Sequence, residues 1–309
     1  MQIHLLKAPE LAKIVEHIFL NSPLQKKRIS KYFGIQKSAE FWQFSEDLSK
    51  ILNAHFMPDS PSKEKASDAY KKMCNDFLSE QIKFKRTGKY SCSDSAVANT
   101  AVYADPQVMR NYMVGLLLSY IFWPNHYELY NFFKNNIPTD KISNYLEVGV
   151  GHGLFTSTII QTFPNVEATI VDISETSIKT AKEILNCFSI STTDINFIHN
   201  DYLKTEFSQL FEYIIMGEVL EHVNDADLFM RKTKTLLAPQ GTIYLSTCAN
   251  SPALDHVYHF HNVTEIRELI RHQGFKIVKD LALPADNIPE EDWEKELVTI
   301  NYCALLEHQ

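Results

Sequence analysis

The stretch Tyr145-Leu-Glu-Val-Gly-Val-Gly-His-Gly153 constrains this chain more than any other. An apolar run, Tyr145 to Val148, ends in glycines at alternate positions, Gly149, Gly151 and Gly153. A helix-like segment follows from Leu154 to Phe163. The order reads as strand, tight turn and helix N-terminus, the opening of a βαβ unit able to cradle a ligand. Glycine suits the turn because it takes positive φ freely and lets the backbone come close to a ligand. The next apolar run, Ala168 to Val171, ends in Asp172. An acid at the tip of a second strand is placed to bind the two hydroxyls of a ribose.

From Lys141 onward, strand-like and helix-like segments alternate, which predicts a parallel α/β sheet. The expected strands are Tyr145 to Val148, Ala168 to Val171, Ile195 to His199, Tyr213 to Met216 and Thr242 to Ser246, then Lys276 to Leu281 and Val298 to Leu306. Pro239-Gln-Gly241 reads as a turn before the fifth strand. Leu283 to Glu296 carries two prolines and makes a poor crossover helix, so the last two strands should pair antiparallel. Residues 1–137 read instead as a helical lid subdomain, with apolar residues at helical spacing and little alternation, and 138–309 as the α/β domain. Asp105-Pro106 is a helix start, with Asp as N-cap.

The dinucleotide fingerprint Gly-x-Gly-x-x-Gly is not met, because Leu154 stands where its third glycine belongs. The pattern Glu147-x-Gly149-x-Gly151-x-Gly153 resembles motif I of the class I S-adenosylmethionine-dependent methyltransferases, and the resemblance extends from Ser143 to Glu307. It implies a doubly wound, seven-stranded, mostly parallel sheet with an antiparallel last strand, preceded here by the helical subdomain. It also implies S-adenosyl-L-methionine as cofactor and S-adenosyl-L-homocysteine as product. By that resemblance Glu147, Gly149, Gly151 and Gly153 wall the methionine moiety, Asp172 holds the ribose and Ile173 meets the adenine. Asp201 and Tyr202 take the place of the adenine-binding acid and its neighbour, although Asp201 also reads as a plain turn residue. Gly217 and Glu218 would lie under the sulfonium. Glu218-Val-Leu-Glu-His222 resembles a segment frequent in small-molecule members, in which His222 would border the pocket through a structural hydrogen bond.

The acceptor side is less determined. Asn250-Ser-Pro-Ala-Leu-Asp-His-Val-Tyr-His-Phe-His261 follows the fifth strand, where loops of open α/β sheets carry chemistry. Its histidines read as a metal site, as a general base with acceptor contacts, or as a polar loop. No cysteine or carboxylate stands at a persuasive ligand spacing, so no metal is expected. His256 and Tyr258 are the candidate catalytic residues, with Asp255 and His259 beside them. Tyr103, Tyr112, Asn125, His126 and Tyr127 are expected in the lid, along with His222 at the pocket border. The segment Trp123 to Tyr127 reads either as an aromatic kink or as part of that lid.

The expected function is methyl transfer to a small-molecule acceptor, to oxygen in preference to nitrogen or carbon. The alternatives are a non-catalytic cofactor-binding module and a protein methyltransferase. A net charge of −8 argues against a nucleic-acid partner. Five widely spaced cysteines without a Cys-x-x-Cys pair suit reduced thiols in a cytoplasmic protein. The most apolar run, Met113 to Trp123, is shorter than the ~20 residues that span a bilayer. The N-terminal helices offer a surface for a homodimer.

Overall fold

The computed structural model describes residues 7–36, 38–55, 62–98, 102–103, 105–139 and 142–309. Pro58 and Pro61, which read from sequence as a helix break, lie outside them. Prolines start the first two helices, α1 (Pro9–Asn21) and α2 (Pro23–Ile35), where the missing N–H costs no intrahelical bond. The buried carboxylate of Glu46, on α3 (Ala39–His55), accepts from Glu10 N and Leu11 N, both at 3.0 Å, and so closes the first turn of α1 from a distance. Two further helices, α4 (Ser62–Thr87) and the short α5 (Ser95–Ala98), lead to α6 (Pro106–Phe122). Asp105 caps α6 as expected, accepting from Gln107 N at 2.8 Å and Val108 N at 3.0 Å. Trp123-Pro124 then breaks the chain into α7 (Pro124–Asn135).

The α/β part follows as β1 (Asn144–Val148), α8 (Leu154–Thr162), β2 (Glu167–Asp172), α9 (Glu175–Cys187), β3 (Ile195–His199), β4 (Phe211–Gly217), α10 (Ala226–Leu236), β5 (Leu237–Ala249), α11 (Val263–His272), β6 (Phe275–Pro284) and β7 (Ile300–His308). The strand order is β3-β2-β1-β4-β5-β7-β6. The first five strands pair in parallel, and β7 lies antiparallel between β5 and β6, as the resemblance implies. The expected turn at Pro239-Gln-Gly241 is corrected: these residues belong to β5, and the register shifts there, from Phe211↔Leu237 to Tyr213↔Thr242. A bulge absorbs the extra residues without ending the strand.

Side chains alternate across the sheet, and the two faces have different partners. Leu146, Ile214, Met216 and Ile243 pack under α10 and α11. Tyr145, Tyr213, Ile215 and Tyr244 face the other way and share one continuous core with Leu11, Phe33, Phe41, Leu117 and Phe133 of the preceding helices. The N-terminal helices therefore cover a face of the sheet and do not stand apart from it. Strand order reverses between β1 and β4, which opens a crevice at the carboxyl ends of these strands. No helix among the described residues is long and apolar enough to cross a membrane.

Candidate active site

The crevice is a cavity of about 1130 Å³ roofed by α2, α4, α6 and the start of α7. It exceeds the roughly 300–1,000 Å³ typical of a site for one small ligand, so it has room for two. At one end lies the glycine turn. Gly149, Gly151 and Gly153 all take positive φ, at 75°, 50° and 74°. A Cβ on Gly151 would meet only Met113 Sδ, at 3.8 Å, so this residue leaves open space. Gly153 is closed in by Ala181, and its role is to start α8. Glu147 is likewise below the turn and not on the cavity wall. Its buried carboxyl accepts from the Thr156 hydroxyl, while its Oε1 has no partner among the described residues. Burial pushes its pKa up to about 8, and the Thr156 hydroxyl opposes that rise.

Asp172 ends β2 on the cavity wall. It accepts from Ser174 N at 2.7 Å and Gly151 N at 3.4 Å, and Ser174 rather than Asp172 caps α9. Burial raises its pKa to about 6 against the pull of these N–H donors, so the carboxylate form is held at neutral pH. Ile173 presents an exposed apolar side chain beside it. Asp201 caps the turn Tyr202–Lys204 through Leu203 N at 2.9 Å and pairs with Lys204 at 3.1 Å, yet still lines the cavity. Tyr202 lines the cavity next to Asp201, while its hydroxyl meets Thr233 Oγ1 at 3.0 Å and its ring packs on Phe229 and Phe207 in the core under α10. Gly217 is required because a Cβ would lie 2.4 Å from the Phe155 ring. Glu218 follows with φ 53°, its N–H donating to Ser246 O at 3.0 Å, which turns its carboxyl toward the cavity.

The other end of the cavity is polar. Tyr103 donates to Asp255 Oδ2 at 2.9 Å and stands 3.0 Å from His222 Nδ1. Tyr112 reaches the other Asp255 oxygen at 3.5 Å. His222 Nδ1 lies 3.1 Å from the Asp255 backbone carbonyl and 3.4 Å from its carboxylate, so this nitrogen carries the proton and Nε2 is left as an acceptor. Asp255 is 1% exposed. Burial, with the Asp255 carboxylate alongside, pushes both phenols well above their ordinary range, so they are donors and not bases. His256 also lines the cavity, but its Nδ1 lies 2.6 Å from Ser251 O and burial pulls its pKa down to about 4. His222 and His256 therefore both border the cavity, and His222 is the one paired with Asp255. Glu221, which was not singled out, lines the cavity beside them, its Oε2 accepting from Thr247 at 2.8 Å. The motif that contains it was the available signal.

Other expected acceptor residues do not meet here. Tyr258 is corrected: it packs on Phe260 and faces a separate shallow depression with His261 and Glu265. His259 is in that depression too, its Nε2 2.9 Å from Asn250 Oδ1 and its ring against Tyr90. Tyr127 is buried against Phe41 and Phe44, away from the cavity. Asn125 and His126 do line it. Asn125 donates to Leu283 O at 3.0 Å and Asn301 Oδ1 at 3.1 Å, and His126 Nδ1 is 2.7 Å from Ser119 Oγ. The Trp123 kink and the cavity roof are therefore one feature.

The sheet order with its inserted antiparallel strand, and the glycine turn at the switch point, define a class I methyltransferase fold. The family described as Methyltransferase domain matches residues 139–301, and the chain belongs to that family. The chain is 31% identical over 107 residues to malonyl-[acyl-carrier protein] O-methyltransferase 1 of Ilyobacter polytropus, covering 35% of this chain and 38% of that protein. It is 30% identical over 106 residues to the ubiquinone biosynthesis O-methyltransferase of Brucella melitensis biotype 2, covering 33% and 40%. Both matches span well under two thirds of those relatives. Among solved structures, the N-methyltransferase NodS of Bradyrhizobium japonicum in complex with S-adenosyl-l-homocysteine aligns at 16% identity over 65% of this chain and 97% of that one, with a TM-score of 0.49.

The residues fit the family's cofactor on the chain's own evidence. Gly151 leaves open space at a helix start, where N–H groups suit a carboxylate. Asp172 suits the ribose, and the buried Oε1 of Glu218 has no hydrogen-bond partner among the described residues.

Proposed function

We propose that the chain transfers the methyl group of S-adenosylmethionine to a hydroxyl oxygen of a small-molecule acceptor. One observation carries this reading: a single cavity joins the glycine turn and Asp172 to the cluster of Tyr103, His222 and Asp255. When bound, the cofactor supplies a methyl group already activated on sulfur. The chain's own contribution is then to position, to exclude water and to manage one proton. The turn and Asp172 would hold the cofactor, with Ile173 and Asp201 at its base. Met109, Met113, Tyr112 and Phe155 give the acceptor an apolar wall. Tyr103 donates at the far end, and His222 with Asp255 offers a place for the hydroxyl proton. The relatives named as O-methyltransferases support oxygen as the acceptor atom.

Calorimetric titration with S-adenosylmethionine, S-adenosylhomocysteine and NAD as control comes first. Methyl transfer to a panel of hydroxylated small molecules, with the product atom read by NMR, follows. Binding of the first two and O-methyl products are expected. Tight cofactor binding with no turnover across hydroxyl, amine and carbon acceptors would move the chain to a binding module.

A further inference from the structure

Along the loop after β5 no ligand set stands out, but the fold brings partners from elsewhere. One donor atom from each of His222, Asp255 and His256 lies within 4.8 Å of the other two. Glu221, Cys248 and His256 meet the same measure, so His256 is common to both groups. These side chains come from the turn after β4, from β5 and from the loop after it.

The charge inventory of this cluster is one-sided. Glu218, Glu221 and Asp255 converge, and among the described residues no Lys or Arg pairs with them. Glu218 and Glu221 stand side by side, and each keeps a buried Oε1 without a donor. Buried carboxylates are normally paired or bound to a metal. The Tyr103 hydroxyl occupies the space between His222 Nδ1 and Asp255 Oδ2, 3.0 Å and 2.9 Å from them, and would move aside or stand as a further oxygen ligand when an ion binds.

We propose that His222, Asp255 and His256 bind a divalent transition-metal ion at the acceptor end of the cavity, with Glu221 and Cys248 forming a second group around His256. Two imidazoles and a carboxylate suit Zn²⁺, and three protein ligands leave a position open. That position faces the cavity, which is the arrangement of a working site and not of a closed structural one. The inference deepens the methyl-transfer reading and rests on it for its purpose. An acceptor hydroxyl would enter as a further ligand, and coordination lowers the pKa of a bound hydroxyl. Its proton would leave to solvent through the cavity. In this form His222 holds the ion, and the proton goes to solvent instead of the imidazole.

The test uses the full chain stripped with a chelator. Zn²⁺ is titrated by calorimetry, and Co²⁺ serves as a probe through its visible absorption. One ion per chain is expected. Asp255→Asn and His256→Gln should each weaken binding by more than the roughly 10–100-fold that a supporting residue costs. Cys248→Ser should leave binding in place; its loss would move the site to the second group and overturn the assignment. No stoichiometric binding, or binding that survives both of the first two substitutions, would also overturn it. S-adenosylmethionine titration of each variant checks that the fold is intact, and Asp255→Asn carries the test should His256→Gln fail to fold. Cofactor binding without ion binding would sink the metal site and leave the methyl-transfer reading. Ion binding without cofactor binding would do the reverse.

Discussion

The two ends of the cavity are built in opposite ways. The cofactor end comes mainly from one short stretch, Val148 to Ser174, in which strand end, turn, helix and strand are contiguous, with Asp201 and Glu218 added from the turns after β3 and β4. The acceptor end is assembled from residues far apart in the chain: Tyr103 meets His222 across 119 positions and Asp255 across 152. Local geometry fixes the first end, while tertiary packing fixes the second. The cofactor end should therefore tolerate changes in the lid, and the acceptor end should not.

The comparison can be broken in several places. The largest effect is expected at the acceptor end. Asp255→Asn should lower kcat by roughly 10²–10⁴-fold, the range for losing a positioned acid–base group, while the Kd for S-adenosylhomocysteine stays near that of the parent chain. Equal losses in both would mean that the ends are not separable. Asp172→Ala should do the converse, weakening cofactor binding by about 1–3 kcal/mol, the cost of leaving buried partners unmatched. Calorimetry reads it directly, and unchanged affinity would remove Asp172 from the cofactor end.

A pH dependence of stability sharpens the contrast within the cofactor end. Burial pulls His152 down to about 3, and its Nδ1 lies 3.3 Å from Leu154 N, where it accepts at the start of α8. Burial likewise pulls His126 down to about 4, although this ring keeps some surface open to the cavity and so contributes less. Their folded pKa values lie below the unfolded value of about 6.5. Above that pH both are neutral in both states, and stability is intact. As pH falls toward 4 the unfolded chain takes up protons that the folded chain refuses, and stability is lost. Glu147 and Asp172, raised to about 8 and about 6, act with the opposite sign and lower stability as pH climbs from 4 toward 8. Urea unfolding of His152→Gln should show an acid limb flatter than the parent's by an amount on the order of 1–3 kcal/mol between pH 7 and pH 5. A limb of unchanged slope would clear His152.

The smallest effect is expected at Tyr258→Phe, which should leave turnover and cofactor binding within about twofold, the scatter of a surface substitution of up to ~0.5 kcal/mol. A large loss of turnover would place the shallow depression in the reaction after all.

What could be read from sequence follows the same division. Strand positions, the antiparallel pairing of the last two strands, the Asp105 cap and the glycine turn rest on spacing, and spacing is local; the doubly wound strand order came from the family resemblance. Tyr258 was misplaced because sequence shows that a loop is polar and not which side chains turn inward. Asp255 and His256 turn in, whereas Tyr258 and His259 turn out, the latter held by Asn250, whose own φ is 49°. Tyr127 looked like a lid residue because nothing in its neighbourhood of sequence announces Phe41 and Phe44, from another helix. His222 was placed at the pocket border with a structural hydrogen bond, and only its partner, Asp255, more than thirty positions away, was not legible.

The tyrosine-bearing face of the sheet shares its interior with the preceding helices. A chain cut at Pro138 would expose Tyr145, Tyr213 and Tyr244 to water, and their neighbours with them. The cap cannot then be exchanged like a cassette between relatives to transplant a preference for one acceptor. A substitution in those helices therefore acts on the stability of the sheet as well as on the roof of the cavity.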